Sequence, residues 1–168
     1  NGDDLVNASD MILYDKSQTP EVTFGSQISI GYKGFSLWAN FAGQARAWTF
    51  FAVTGRVNSN SLEDAIVNRW RPGSMYSKYP RPLTTGYQNS TFWLREAWFV
   101  RLKTLELGYD LPQSLLSKVG INSMRVYVNG NNLFTLDEIK WFDPEGISYF
   151  GDFYPQTKVY NLGFNIRF

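Results

Sequence analysis

The last nine residues constrain this chain more than any other stretch. Tyr160, Leu162, Phe164, Ile166 and Phe168 occupy one phase of a period-two pattern, and Asn161, Gly163, Asn165 and Arg167 occupy the other. Period two is the signature of a strand with two different surroundings. Rings and aliphatics on one side, with amides and a cation on the other, suit lipid outside and water or polar filling inside. A soluble sandwich strand would also alternate, but it gives no reason for the chain to end on an outward Phe.

The same pattern recurs upstream. Phe24, Ser26, Ile28, Ile30 and Tyr32 share one phase, against Thr23, Gly25, Gln27, Ser29 and Gly31. Lys33-Gly34 then makes a two-residue link, with Gly34 suited to the positive φ of a hairpin turn. The return strand sets Phe35, Leu37, Ala39 and Phe41 against Ser36, Trp38, Asn40 and Gln44. A long strand is expected from about Phe92 to Tyr109, with a broken phase. Trp98, Val100 and Leu102 share one face, while Leu105, Leu107 and Tyr109 share the other. Either a bulge sits near Lys103, or the upper half stands clear of the apolar band. Arg125 to Thr135 and Thr157 to Phe168 complete about five strands.

Between the strands, Ser61-Leu62-Glu63-Asp64 reads as a capping box. Leu62, Ala65, Ile66 and Trp70 follow at helical spacing, and Pro72-Gly73 is expected to end the helix. Pro112 and Gly120 bracket a second short helix over Ser114–Val119. The connections run to two, forty-six, about thirteen and twenty-one residues in chain order. Short links fall at one end of the strands and long loops at the other, as in bacterial outer-membrane barrels.

Composition agrees and removes whole classes. Aromatics make up 17% of the chain, yet mean hydropathy is only -0.29, as alternation requires. There is no Cys and no His, which removes thiol nucleophiles, the commonest general base and the commonest metal ligands. Triad hydrolases and zincins are excluded, and no cofactor is expected. Sixteen Lys+Arg against fifteen Asp+Glu leave +1, too weak a field to recruit nucleic acid. The uncharged runs Gly34–Ala45 and Pro82–Leu94 are too short for a spanning helix, whereas barrel strands need only about 9–11 residues. Asn1 is not Met and no signal peptide is visible, so a leader was removed or the chain starts within a longer protein.

Several blocks, taken jointly, resemble the C-terminal region of SusC/RagA-type TonB-dependent transporters. They are Phe92-Trp93-Leu94-Arg95-Glu96-Ala97, Val100-Arg101-Leu102-Lys103, Leu105-Glu106-Leu107-Gly108-Tyr109 and Leu111-Pro112. Tyr32-Lys33-Gly34-Phe35, Tyr79-Pro80-Arg81-Pro82, Arg125-Val126-Tyr127, Asn132-Leu133-Phe134-Thr135, Asp143-Pro144-Glu145 and Tyr154-Pro155-Gln156-Thr157 are similar to the family's other recurring blocks. The blocks keep family order from about Thr23 to Phe168. The resemblance implies an all-β, antiparallel membrane β-barrel segment: about five C-terminal strands of a large plugged barrel of the 22-stranded kind. Residues 1–168 would then be part of one barrel domain, with the plug and the TonB-contacting segment lying elsewhere. It implies a bacterial outer-membrane importer of oligosaccharides or peptides, not an enzyme, energised by TonB and capped by a SusD-like surface lipoprotein. The alternative is a soluble, aromatic-rich β-sandwich that binds carbohydrate.

Site candidates follow from residue type. Trp141, Phe142, Tyr149, Phe150, Phe153 and Tyr154 crowd one expected outer loop, with Asp143, Glu145 and Asp152 among them. Rings beside carboxylates suit sugar stacking or lid docking, although a loop packing its own rings is the favoured reading. Trp70, Tyr76 and Tyr79, with Trp48 and Tyr87, invite the same choice in the longer loop. Arg95, Glu96, Arg101, Lys103 and Glu106 are expected to line the interior as an ion-pair ladder. Asn1-Gly2-Asp3-Asp4 with Asn7 and Asp10 reads as a solvated loop, because the bidentate Glu of a calcium site is missing. Tyr160, Leu162, Phe164, Ile166 and Phe168 resemble the closing-strand signal read by the barrel-assembly machinery, and they would also face outer-membrane lipid.

Overall fold

The computed structural model describes residues 4, 8–50, 63–81, 90–140, 142–146 and 153–168. The alternating segments become strands that pair only with their neighbours in space. β1 (Val22–Tyr32), β2 (Phe35–Ala45), β5 (Phe99–Asp110), β6 (Ser123–Asp137) and β7 (Val159–Arg167) form one antiparallel sheet in the order β1-β2-β5-β6-β7. Two short strands, β3 (Trp48–Phe50) and β4 (Leu94–Glu96), pair separately above the long-loop end.

The Lys33-Gly34 turn has φ of 48° and 86°. Two positive values define the hairpin turn whose twist matches that of the flanking strands. At the same end, Gly34 accepts a hydrogen bond from the Asp110 N–H at 2.8 Å. The β5–β6 link also lies there and carries α2 (Gln113–Leu116) and a 3-10 turn over Ser117–Val119. Gly120 closes it in the left-handed region at φ 74°. Both short links therefore share one end, and both long loops share the other.

Register settles the broken phase of the long strand. Asn40 pairs with Thr104 and Phe41 with Leu102, leaving Lys103 as an extra residue on β5. The bulge flips the phase, so Val100 and Leu102 below it in sequence join Leu105, Leu107 and Tyr109 on one face. Pairing carries that face across the whole sheet: Ile28 to Ala39, Ala39 to Leu105, Leu105 to Gly130 and Gly130 to Tyr160. On β6 the strand adjusts at Asn132, which takes φ 53°, a value Asn tolerates better than most residues.

The apolar face is bare. Phe24, Ile28, Ile30, Tyr32, Phe35, Leu107, Val128, Phe134, Leu136, Tyr160, Leu162, Phe164 and Ile166 are all exposed on it. No second sheet covers it among the described residues, as a sandwich would require. From Phe24 to Tyr32 the rings span roughly 26 Å along the strand, and less in height once the strand tilts. That is the scale of the apolar band of a membrane barrel, about 25 Å tall. Among the described residues no helix is long and apolar enough to cross a membrane, so crossing falls to the strands.

Two expectations need correction. The helix near Trp70, α1 (Glu63–Val67), ends before Trp70 and not at Pro72-Gly73. Arg69 bridges to Tyr79, and the Trp70 N–H donates to the Tyr79 carbonyl at 2.8 Å, so extended pairing replaces the last turn. The strand expected from Phe92 is interrupted as well. Thr91–Trp93 is a 3-10 turn, and β4 and β5 are separated at 97–98. There the Ala97 N–H bonds the Ala47 carbonyl at 2.7 Å, a partner fifty residues away in sequence.

Candidate functional site: the polar face and its docked loop

The face opposite the bare one carries the side chains that interact. At its short-link half, Arg125 donates to Ser36 Oγ and Glu106 Oε1, each at 2.9 Å. Gly108 makes room for that guanidinium, because a Cβ there would fall 2.6 Å from an Arg125 nitrogen. Further along, Asn161 donates to Asn129 Oδ1 at 2.8 Å, and Thr104 Oγ1 bonds Asn131 Oδ1 at 3.1 Å. Tyr127 lies over Gly163, whose missing side chain would otherwise meet the ring at 2.4 Å. The expected ion-pair ladder is therefore present at Glu106. Arg95 and Glu96 depart from it: Arg95 donates to the Phe92 and Leu94 carbonyls, and Glu96 accepts from the Arg46 N–H.

Toward the long loops, the segment after β6 folds back over this face. Asp143-Pro144-Glu145-Gly146 forms a turn closed by the Gly146 N–H on the Asp143 carbonyl at 2.9 Å. Pro supplies the fixed φ of the second turn position, and the Asp side chain caps the turn by accepting the Glu145 N–H at 3.0 Å. The turn sets its two carboxylates on Arg101 and Lys103. Arg101 is 3% exposed. Its guanidinium donates to Thr135 Oγ1 at 2.9 Å, to Asp143 Oδ1 at 2.6 Å, and to Glu145 Oε2. Lys103 Nζ reaches both oxygens of Glu145. The second Asp143 oxygen accepts the Gln156 N–H at 2.8 Å, while Asn132 donates to the Gln156 side chain and the Thr157 carbonyl. Two cations meet two carboxylates, and both ends of the loop are tied to the wall.

Burial alone would push the Asp143 carboxyl up. The hydrogen bonds from Arg101, Gln156 and Glu145, with the Arg101 charge, outweigh it and hold the group below its ordinary value of 3.8. Apolar support comes from Ala47, Ala97 and Ile139, against which Phe142 packs.

The structure thus separates the loop candidates. Asp143 and Glu145 are held by the wall and Phe142 by the small cluster. Phe153 leans on Gly146, where a Cβ would sit 2.3 Å from its ring, and Tyr154 is 80% exposed. Trp141, Tyr149, Phe150 and Asp152 lie outside the described residues, as do Asn1, Gly2, Asp3, Asn7, Ser61, Leu62 and Tyr87. In the longer loop, Tyr79 is buried, Trp70 is partly exposed and Tyr76 is exposed. Trp70 and Tyr79 line a groove of about 460 Å³ with Pro80, Phe92 and Trp93, whereas Tyr76 stands apart from it. No cluster of acids fit for a metal ion occurs among the described residues. Sequence reasoning missed the pairing of loop with wall, although a signal was there: acids two apart at 143 and 145, cations two apart at 101 and 103.

No profile of a known protein family matches the chain. Individual proteins do. It is 30% identical over 169 residues to TonB-dependent receptor P3 of Formosa agariphila, across 89% of this chain and 16% of the relative. TonB-dependent receptor P26 of the same organism is 25% identical over 187 residues, across 100% of this chain and 19% of the relative. The RagAB peptide importer in its open-open state matches with a TM-score of 0.78 at 31% identity, over 98% of this chain and 19% of that chain. The RagAB peptide transporter gives 0.79 at 32% identity, over 96% and 19%. Over nearly its whole length this chain matches the SusC/RagA-type TonB-dependent transporters. Its place is the outer membrane. It spans less than a fifth of the length of the curated TonB-dependent receptors it matches. In a transporter of this type the bare apolar face is the lipid-facing wall and the polar face is the lumen wall.

Proposed function

We propose that residues 1–168 supply the C-terminal strands of a large plugged barrel that imports oligosaccharides or peptides across the outer membrane. The short links face the periplasm and the two long loops face outside. Energy comes from TonB through a plug-bearing part elsewhere in the protein, and a SusD-like lipoprotein closes over the outer mouth. The chain carries no catalysis of its own. The observation that carries this reading is one sheet with a bare apolar face, a polar face that carries ion pairs and side-chain hydrogen bonds, and, among the described residues, two unpaired edges, β1 and β7. Open edges are not tolerated in lipid, so further strands must complete the ring. The relatives named as TonB-dependent receptors and the RagAB peptide importer favour import, and the peptide arm takes its support from the latter.

Tyr160, Leu162, Phe164, Ile166 and Phe168 are proposed to address the nascent protein to the barrel-assembly machinery and then to face lipid. Tyr154, Phe153, Trp70, Tyr76 and Tyr79 are the described rings proposed to meet substrate or lid.

The test is the intact mass of the native polypeptide after detergent extraction from the outer-membrane fraction, followed by uptake with and without TonB. A mass several times 19.3 kDa and uptake that stops without TonB are expected. Recovery as a soluble 19.3 kDa protein would favour the carbohydrate-binding sandwich instead.

A further inference from the structure

Charge is unevenly spread along this chain. From Ala65 to Arg95 there are five cations, Arg69, Arg71, Lys78, Arg81 and Arg95, and no carboxylate. The other eleven cations share the chain with all fifteen acids. We infer that the groove in this stretch binds an acidic oligosaccharide, one whose sugar units carry carboxylate or sulfate groups. This names a substrate class for the import reading, and it rests on that reading for the position of the groove at the outer mouth.

Three observations carry it. First, these cations lack counter-charges. Arg46, Arg101, Lys103, Arg125 and Lys140 each meet a carboxylate. Among the described residues Arg69, Arg71, Arg81 and Arg95 meet none. Arg69, Arg71 and Arg95 donate to backbone carbonyls, and Arg81 is exposed. Cations left without acids concentrate anions near them. Second, charge and rings share one concavity. Lys78 and Arg81 line the groove with Trp70, Tyr79, Phe92 and Trp93, and no carboxylate is among its lining residues. Its volume of about 460 Å³ lies within the roughly 300–1,000 Å³ of small-ligand sites. Lys78 Nζ stands 5.1 Å from the Tyr79 ring centre, so a ligand meets both together. Third, the rings suit sugar better than peptide. Trp70 is 42% and Phe92 45% exposed, leaving flat faces for the C–H side of a sugar ring. An extended peptide would bind through main-chain hydrogen bonds to a strand edge. Here the Trp70 N–H is taken by the Tyr79 carbonyl and the Trp93 N–H by the Ser90 carbonyl.

The test is calorimetric titration of the full-length transporter in detergent. The probes are oligogalacturonate, oligomannuronate and a chondroitin sulfate oligosaccharide, each beside its methyl-esterified or desulfated neutral form. At least one acidic probe should bind about tenfold or more tighter than its neutral form. That advantage should shrink between about 0.1 M and about 1 M salt, as the screening length falls from ~10 Å to ~3 Å. Lys78→Gln with Arg81→Gln removes two charge-assisted contacts, and should weaken the acidic probe about tenfold or more while moving the neutral one less than about twofold. Trp70→Ala should weaken both forms alike, and Lys118→Gln, at the short-link end, should weaken neither. Heat-modifiable migration in gels confirms that each variant is a folded barrel. Binding is read without TonB, so its failure is distinct from failure of the mass and uptake tests of import. Equal affinity for acidic and neutral forms, no binding of any acidic probe, or unchanged affinity in the folded double variant overturns the site. Tighter binding of an oligoglutamate peptide than of every sugar overturns the saccharide and assigns the groove to acidic peptides.

Discussion

The two faces of the one sheet share strands, register and backbone, yet they are stabilised in opposite ways. On the outer face thirteen large apolar side chains lie open with almost nothing of this chain upon them. Their contribution comes from leaving water for the lipid interior, and they need no partner of matched shape. On the inner face Arg125 with Glu106, Asn161 with Asn129 and Arg101 with Thr135 are engaged in pairs across strands, and no buried side-chain nitrogen or oxygen among the described residues lacks a partner. A membrane wall therefore needs composition on one side and geometry on the other.

That contrast can be broken deliberately. Leu105→Arg places a cation at mid-height of the lipid face, between the Ala39 and Gly130 rows. It should cost about 2–4 kcal/mol, read as a lost folded fraction in urea titrations of the full-length barrel. The same change at Asn161, on the inner face, should cost clearly less; equal losses would deny that the faces differ. Gly163→Ala tests geometry without charge. Its Cβ would press within 2.4 Å of the Tyr127 ring, so about 1–3 kcal/mol should be lost, and most should return when Tyr127→Ala is added. A full loss that persists in the double variant would point to the backbone and away from the ring.

The smallest effect concerns pH. A carboxyl held below its unfolded value of 3.8 contributes stability that is fully present above that value and is lost as pH falls through the lower folded one. Hydrogen exchange at the Glu145 and Gln156 amides, corrected for intrinsic rates, should stay slow from pH 7 to about 4 and quicken below. Asp143→Asn should remove that acid step. A step centred above 4 would mean that burial, not Arg101, governs the group.

Much of the sheet was legible in the sequence because its rules are local. The Lys33-Gly34 turn, the alternation of β1 and β2 and that of β7 each depend on residues within a few positions of one another. Gly120 likewise marked the end of the α2 link. The failures are all long-range. Nothing near Ala97 announces that its N–H is taken by Ala47, and nothing near Trp70 announces Tyr79. Asp143 and Glu145 could be read beside the rings only as loop carboxylates, because their cations are more than forty residues away in the chain. Only the matched spacing of two acids and two cations hinted at the pairing, and such spacing is common by chance in charged strands.

Lys103 has a consequence for how this wall can evolve. It acts on β5 as an inserted base acts on a reading frame: everything on one side of it is interpreted in the other phase. Substituting it changes one contact to Glu145. Deleting it would leave the composition of the strand nearly untouched, yet it would turn either Val100 and Leu102 or Leu105, Leu107 and Tyr109 toward the lumen. The constraint at this position is therefore on the length of the strand more than on the identity of the residue.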